Sequence, residues 1–458
     1  MTGSRDERRG VPLHTKILTG LVLGAAAGVG SNYLWGDSTR LVWIVDNVAQ
    51  PIGQVFLRML FMVVVPLVFT TLAVGVASLG DVRRLGRVGA KTIGFFLFTT
   101  AIAAILGLTL VNLVQPGLGL DPAIREGLLA QYSTQAAATV EAAGSTGFGV
   151  NTFVAIVPRN IVSAMANGDM LGLIFFTVVF GIALTRLPDT VSAPVLRVLE
   201  GVAQAVIEII GFAMRLAPYG VFGLIFAVTA RFGWDVLQSL LLYVVMVLGG
   251  LLIHQVVVLP IIAKTAAGIP FLELFRRGRY MMITAFSTSS SNATMPTTLR
   301  TAEEEFGVPR QIAGFVIPLG ATMNMNGTAL FEGMTVLFLA QVFGVDLSVG
   351  AQLIVVVMAI VTAIGAAGVP SGSIPLLVMV LMMVGVPGEG IALILGVDRI
   401  LDMARTVPNV TADLITAIFV AKSEGFDLKP ALAADFSTEA ALEVAQGEEA
   451  VPPVVAGG

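Results

Sequence analysis

Four uncharged runs, Ile17 to Gly36, Met59 to Gly80, Thr92 to Leu120 and Val236 to Ala263, dominate the sequence. Each reaches the roughly 20 apolar residues that a helix needs to cross the hydrocarbon layer of a bilayer. A chain with several such runs crosses a membrane several times. Its 458 residues agree: 56% are hydrophobic and 12% charged, with a mean hydropathy of +0.90, more apolar surface than a water-soluble fold conceals. Further crossings are expected at Met170 to Thr185, Leu216 to Ala230 and Gln311 to Phe331, the last continuing past Glu332. A net charge of -4 gives no reason to expect nucleic acid as a partner, which leaves small solutes. The absence of cysteine excludes disulfides, thiolate nucleophiles and cysteine-based metal centres, and His14 and His254 alone make no histidine cluster.

Basic residues gather at Arg5, Arg8, Arg9 and Lys16, at Arg83, Arg84, Arg87 and Lys91, and at Arg276, Arg277 and Arg279, whereas Gln115 to Asn151 holds only Arg125. The positive-inside bias puts these three clusters in the cytoplasm and the 115–151 segment outside. The N-terminal run lacks a small-residue cleavage site and is read as a retained first helix, not a removable signal. The stretch after Lys422 is acidic and rich in Ala and Pro, the composition of a disordered tail.

Two uncharged stretches are unsuited to plain spans. Tyr280 to Leu299 contains Phe286-Ser-Thr-Ser-Ser-Ser-Asn-Ala-Thr-Met-Pro296, and Leu347 to Gly388 is interrupted by Gly365-Ala-Ala-Gly-Val-Pro-Ser-Gly-Ser-Ile-Pro375. Each reads as a helical hairpin with an unwound tip. Irregular backbone at membrane depth needs protein or a water-filled cavity to satisfy it, and paired broken elements in repeated halves mark a transporter's midplane site. Each hairpin precedes a helix with unusual polar residues, which suggests an internal repeat; the alternative is an ordinary loop between spans. The Ser287 to Ser291 run is by that alternative a flexible polar turn. Gly24-Ala-Ala-Ala-Gly28 reads as a helix-packing face and His254 as a packed or interfacial histidine.

The densest pattern is Asp398-Arg-Ile-Leu-Asp402-Met-Ala-Arg405-Thr-Val-Pro-Asn409-Val-Thr-Ala-Asp413, whose offsets of 4, 3, 4 and 4 put Asp398, Asp402, Arg405, Asn409 and Asp413 on one helical stripe. An ionisable group near the bilayer centre costs about 2.5 to 3.5 kcal/mol, so four imply a cost on the order of 10 kcal/mol before pairing. Such a stripe faces a polar cavity, or it forms an ion-pair network holding two helices together, for which Asp398 is the best-suited member. A fixed guanidinium takes a carboxylate bidentately and a carboxylate one turn away takes an ammonium, so Arg405 with Asp402 suits an acidic amino acid. Pro408 is expected to free the Ala404 carbonyl and to kink the helix before Asn409, either opening an oxygen toward the site or only packing.

A second constellation, Thr322-Met-Asn324-Met-Asn326-Gly327-Thr328, lies mid-span and is followed one turn later by Glu332. Amides, hydroxyls and carbonyls suit a hard monovalent cation better than a transition metal. Glu332 is either a candidate proton carrier, a carboxyl whose charged form burial disfavours, or a solvated group at a helix end. An intramembrane protease using Asp398 and Asp402 is the rival class, but an acid pair needs two facing carboxylates with no fixed cation between them, and Arg405 stands one turn away. A channel needs no Asp and Arg pair for one solute. No Walker-type loop is present to couple ATP.

Taken together, these motifs resemble the glutamate transporter family, which includes animal excitatory amino-acid transporters, archaeal aspartate transporters and bacterial dicarboxylate/amino acid:cation symporters. The likeness runs from about Lys16 to Lys422. It is carried by Ser-Ser-Ser-Asn-Ala-Thr-Met-Pro at the first hairpin, Asn324-Met-Asn-Gly-Thr328, Gly365-Ala-Ala-Gly-Val-Pro370 at the second hairpin, and Asp402-Met-Ala-Arg-Thr406 with Asn409 and Asp413.

The resemblance implies an all-α membrane protein of eight transmembrane helices plus two re-entrant hairpins, an elevator-type transporter with inverted repeats that assembles as a homotrimer in the inner membrane of a bacterium or archaeon. It implies a cytoplasmic N-terminus over 1–15, scaffold helices at 16–80, a transport-domain helix at 81–115, an extracellular segment with two scaffold helices over 116–233, and a transport domain over 234–424. Within that domain, hairpins occupy about 271–303 and 348–383, and a disordered tail covers 425–458. The implied activity is symport of aspartate or glutamate with Na+, or with Na+ and H+; the alternatives are a C4-dicarboxylate or a neutral amino-acid:cation symporter. No enzymatic cofactor, catalytic residue or nucleic acid is implied.

Carried over by residue, Asp402 and Thr406 hold the substrate ammonium, Arg405 and Thr328 its side-chain carboxylate, and Asn409 with the Ser291 backbone its main-chain carboxylate, while Ser290 is a further substrate-site residue and Val369 and Ser373 add gate backbone contacts. A first Na+ site takes Asp413 with carbonyls of Gly320, Asn324 and Asn409, and a second takes carbonyls of Thr322, Ala363, Ile364 and Ala366. A third takes Thr99, Thr100, Asn324 and Asn326, and Glu332 matches a proton-carrying glutamate. The chain departs from the pattern at Asn326, where the family usually has aspartate, and at Ser289 and Met403, where members place an extra arginine, with Arg399 nearby in sequence.

Overall fold

The computed structural model describes residues 13–36, 38–84, 86–120, 157–167, 169–366 and 368–428. Arg5, Arg8, Arg9, Arg125, most of the 115–151 segment and nearly all of the acidic tail lie outside the described residues. Among the described residues all regular structure is helical.

The first half of the chain forms α1 (Leu13–Trp35), α2 (Thr39–Ile44), α3 (Gln50–Met62), α4 (Val64–Arg84), α5 (Arg87–Val114), α6 (Ile161–Asn167), α7 (Met170–Leu184), α8 (Asp189–Phe232), α9 (Trp234–Ile253) and α10 (Leu259–Ala266). Single π-helical turns join α2 to α3 at Val45–Ala49 and α9 to α10 at His254–Val258. Among the described residues, five helical stretches are long and apolar enough to cross a membrane: 15–35, 39–77, 87–114, 189–232 and 234–266. The span expected at Leu216 to Ala230 is the C-terminal part of α8, which runs for 44 residues through Pro194 and Pro218. Helix α1 lies along α8 with its Gly24 and Gly28 face inward: a Cβ on Gly24 would stand 2.8 Å from the Phe222 carbonyl oxygen, so only glycine permits this approach. The Asn32 amide then donates to the Ala230 carbonyl at 2.9 Å near the end of α8.

The second half forms α11 (Phe271–Thr288), α12 (Ser291–Arg300), α13 (Arg310–Met323), α14 (Asn326–Val342), α15 (Val349–Gly365), α16 (Ile374–Met383) and α17 (Ala392–Ser423). Helices α11 and α12 meet at a tip where Ser289 is left-handed, with φ 51°, and α15 leads to α16 through a non-helical tip carrying Ser371 at φ 58°. The run Gln311 to Phe331 is not one helix. It breaks at Asn324 (φ −122°, ψ 66°) and Met325 (φ −98°, ψ 70°) into α13 and α14. Apolar patterning hides this break because the backbone it exposes is satisfied from elsewhere: Asn409 Oδ1, on α17, accepts the Gly327 amide at 2.7 Å and the Thr328 amide at 3.4 Å.

Helix α14 is buried on nearly every side, and α17 is buried along most of its length, as expected of helices inside a bundle and not on its surface. Helix α17 continues through Pro408 as one helix. At its end Glu424 pairs with Arg87 at 2.7 Å and with Lys91 at 2.6 Å, tying α17 to the start of α5.

Candidate functional site

Helix α17 packs against α11, α13 and α14, so the stripe foreseen on it faces protein instead of lipid. Arg405, 2% exposed, reaches Asp402 Oδ1 through Nη2 at 2.7 Å and Nε at 3.0 Å, and Asp398 Oδ1 through Nη1 at 3.3 Å. Its guanidinium carbon lies 4.3 Å from the Phe331 ring centroid, adding a cation–π contact on the guanidinium face. Both readings of the stripe therefore apply: Asp398 belongs to an ion-pair network, and Asp402 and Arg405 also border a cavity. A guanidinium touching both carboxylates is incompatible with an aspartic-protease pair.

The cavity is lined by Ser289, Ser291, Met325, Thr328, Gly368, Val369, Gly372, Ser373, Asp402, Arg405, Thr406 and Asn409. It thus gathers both hairpin tips, the α13–α14 break and α17. Of the residues expected at a substrate site, Ser290 alone is not in its wall. Ser290 instead caps α12, accepting from the Ala293 amide at 3.1 Å, and donates its hydroxyl to the Gly368 carbonyl at 2.5 Å, joining the two tips. Met325, Gly368 and Gly372 line the wall without having been singled out, although all three fall inside the quoted motifs, and Ser289, noted only as a departure from the family's arginine, joins them; a small residue at a helix break was the available signal for the two glycines. Ser371 latches the second tip to α17, its amide donating to Asp402 Oδ2 at 2.9 Å and its hydroxyl to Asp398 Oδ2 at 3.0 Å.

Below the cavity, Asn324 Nδ2 donates to Asp413 Oδ1 at 2.9 Å, and the Asp413 carboxylate lies against Gly320, where a Cβ would collide with it. Asp413, Gly320 and Asn324 are therefore together, with Asn409 one turn before Asp413. Thr322 is exposed, its hydroxyl turned to the Leu319 carbonyl at 3.0 Å, near the end of α13. Ala363, Ile364 and Ala366 lie at the end of α15, which packs on α13. Thr99 and Thr100, from α5, converge on Asn324 Oδ1 at 3.3 and 3.4 Å, and Asn326 Nδ2 donates to the same oxygen at 2.7 Å. Glu332 is fully buried within α14, not solvated at a helix end; its Oε2 accepts the Thr362 hydroxyl at 2.5 Å while Oε1 has no partner. Arg399 sits 3.8 Å from Asp402 Oδ2.

Comparison with known proteins gives this architecture a relationship. Residues 13–423 match the sodium:dicarboxylate symporter family. The chain is 40% identical over 424 residues to the proton/glutamate-aspartate symporter of Escherichia coli (strain K12), covering 91% of this chain and 94% of that protein. It is 38% identical over 413 residues to the proton/sodium-glutamate symport protein of Bacillus subtilis (strain 168), covering 90% and 93%. It is 34% identical over 415 residues to the C4-dicarboxylate transport protein of the same organism, again covering 90% and 93%. The chain is a multi-pass membrane protein belonging to the sodium:dicarboxylate symporter family.

Proposed function

We propose that this protein is a secondary symporter that takes up aspartate or glutamate together with cations, Na+ and H+. The observation that carries this reading is the buried pairing of Arg405 with Asp402 on the wall of one cavity. An acidic amino acid brings its own carboxylate for the guanidinium and its own ammonium for Asp402, so both buried charges keep a partner when the solute enters. A C4-dicarboxylate, the solute in the name of one relative, would set a carboxylate against Asp402 and bring no ammonium of its own. The names of two other relatives, with glutamate, aspartate, protons and sodium in them, support the same choice.

In this reading Asp402 and Thr406 hold the ammonium, Arg405 and Thr328 the side-chain carboxylate, and Asn409 with the Ser291 backbone the main-chain carboxylate. Val369 and Ser373 close over the solute. Asp413 with carbonyls of Gly320, Asn324 and Asn409 takes one Na+, the carbonyls of Thr322, Ala363, Ile364 and Ala366 take a second, and Glu332 carries the proton. Ser290 is reassigned from solute contact to the joint between hairpin tips. The chain is read as eight spans plus two re-entrant hairpins in the cell membrane, forming a homotrimer whose 81–115 and 234–424 regions slide as an elevator past a scaffold of 16–80 and 116–233. The second hairpin is its gate.

The test is uptake of labelled aspartate into proteoliposomes under imposed Na+ or H+ gradients, with glutamate, succinate and alanine as competitors. Glutamate is expected to compete and alanine to fail; succinate competing as well as glutamate would overturn the solute assignment. Uptake insensitive to pH and unaltered by Glu332→Gln would remove the proton from the scheme.

A further inference from the structure

The four fully buried or nearly buried side chains His254, Asn326, Asn324 and Asp413 form a chain in which every hydrogen bond has the same sense. Asn324 donates Nδ2 to Asp413 Oδ1 at 2.9 Å, which leaves Asn324 Oδ1 as an acceptor. Asn326 donates Nδ2 to that oxygen at 2.7 Å and to Thr99 Oγ1 at 3.3 Å, which leaves Asn326 Oδ1 facing outward from the cluster. Opposite it, at 3.4 Å, stands His254 Nε2, set in the π-helical turn between α9 and α10. Because an amide oxygen only accepts, Nε2 must carry the ring proton, and Nδ1 then has no partner in the protein. Reversing the Asn326 amide would set two oxygens against each other on the Asn324 side, and on the His254 side would move the ring proton to Nδ1, where it has no acceptor.

We infer that the Asn326 amide nitrogen, locked in this orientation by His254, occupies the oxygen cluster of Thr99, Thr100 and Asn324 in place of a cation. A cation at that point would need the oxygens that now receive N–H groups, and the amide hydrogens would face it with the wrong charge. Asn326 is thus a specificity-determining residue and His254 a positioning residue: together they subtract one ion from the number that the remaining oxygens could bind. The aspartate expected here from resemblance would present two acceptors and a charge, whereas asparagine turns its donors inward. The consequence for transport rests on the symport reading above; the consequence for ion binding does not.

The experiment measures thermal unfolding of the full chain in detergent against Na+ concentration, at constant ionic strength and without any solute. The steepness of that dependence reports the ions bound by the folded state. Asn326→Asp is expected to add about one Na+ to the dependence, and in proteoliposomes to raise the Na+ to aspartate flux ratio correspondingly. An unchanged dependence in a folded Asn326→Asp protein overturns the inference. Should that variant not fold, His254→Gln and His254→Leu decide it. His254→Gln keeps a donor at the Nε2 position and should match the wild type, whereas His254→Leu frees the amide to turn its oxygen inward and should gain Na+ response. Equal responses of the two overturn the inference, since loss of packing alone does not create Na+ affinity. If no aspartate uptake occurs in any of the proteins, the symport reading fails while the Na+ dependence still reads the site.

Discussion

Arg405 Nη2 lies 2.7 Å from Asp402 Oδ1, so the guanidinium and the carboxylate proposed to receive opposite ends of the solute also hold each other. Arg405 also contacts Asp398, and the face on Phe331 fixes the plane of the group. A lysine would keep the charge but lose the fork and the stacked face. Truncating one partner of a buried charge pair costs roughly 2–5 kcal/mol. Arg405→Lys is therefore expected to weaken aspartate binding by about 30-fold or more, measured by competition with labelled substrate; Arg405→Ala is expected to abolish uptake. Unaltered aspartate affinity in Arg405→Ala would remove the basis of the assignment.

The Ser371 hydroxyl is the second tip's only side-chain hold on Asp398 among the described contacts. A hydrogen bond to a charged group contributes about 1.5–3 kcal/mol, so Ser371→Ala should raise the population of the released tip by roughly 10–100-fold. Hydrogen exchange at the amides of 368–374 reads this directly. Ser373→Ala is the control, because the Ser373 hydroxyl has no partner to lose, and equal exchange in the two variants would count against the latch.

Gly327 donates its amide to Asn409 Oδ1, and a Cβ on it would collide with the Arg405 carbonyl. Overpacking of this kind costs about 1–3 kcal/mol. Gly327→Ala should push the start of α14 off α17 and lower aspartate affinity by roughly 5- to 150-fold, while the detergent-solubilised protein still elutes as the wild type does. Wild-type affinity would mean that this approach is not needed by the site.

Hydrogen bonds from Arg87, then from Lys91, hold the Glu424 carboxyl below its ordinary range. A depressed folded-state value means the contribution is fully present above the unfolded carboxylate value of about 4.3 and is lost as pH falls through the lower folded value. The unfolding midpoint of Glu424→Gln should therefore lie below that of the wild type at neutral pH, and the gap should close in acid and shrink in high salt. A gap independent of pH would mean that the charge is not what ties α17 to α5.

The two hairpins were legible because glycine, proline and serine clustered within a few residues break a helix, and the α17 stripe because carboxylates and a guanidinium at helical spacing are too costly to face lipid. The break between α13 and α14 was legible only as a polar constellation at Thr322 to Thr328 within one span, since the side-chain amide that satisfies its backbone belongs to Asn409, far along the chain. Glu332 could be read as buried or solvated until α15 supplied Thr362 opposite it. His254 carried no signal toward Asn326 because the contact depends on how α9 packs beside α14. Ser290 was given to the solute by resemblance, whereas its hydroxyl is used between the two tips.

The unwound joints also sort charge before any side chain acts. Helices α12 and α14 begin beside the cavity, at Ser291 and Asn326, while α13 and α15 end near it, at Met323 and Gly365. Aligned peptide dipoles leave roughly half a positive charge at a helix start and half a negative charge at a helix end. The starts therefore favour carboxylates and the ends favour cations. An interior polarised by its own backbone separates an anionic solute from its companion ions even before Arg405 or Asp413 is counted.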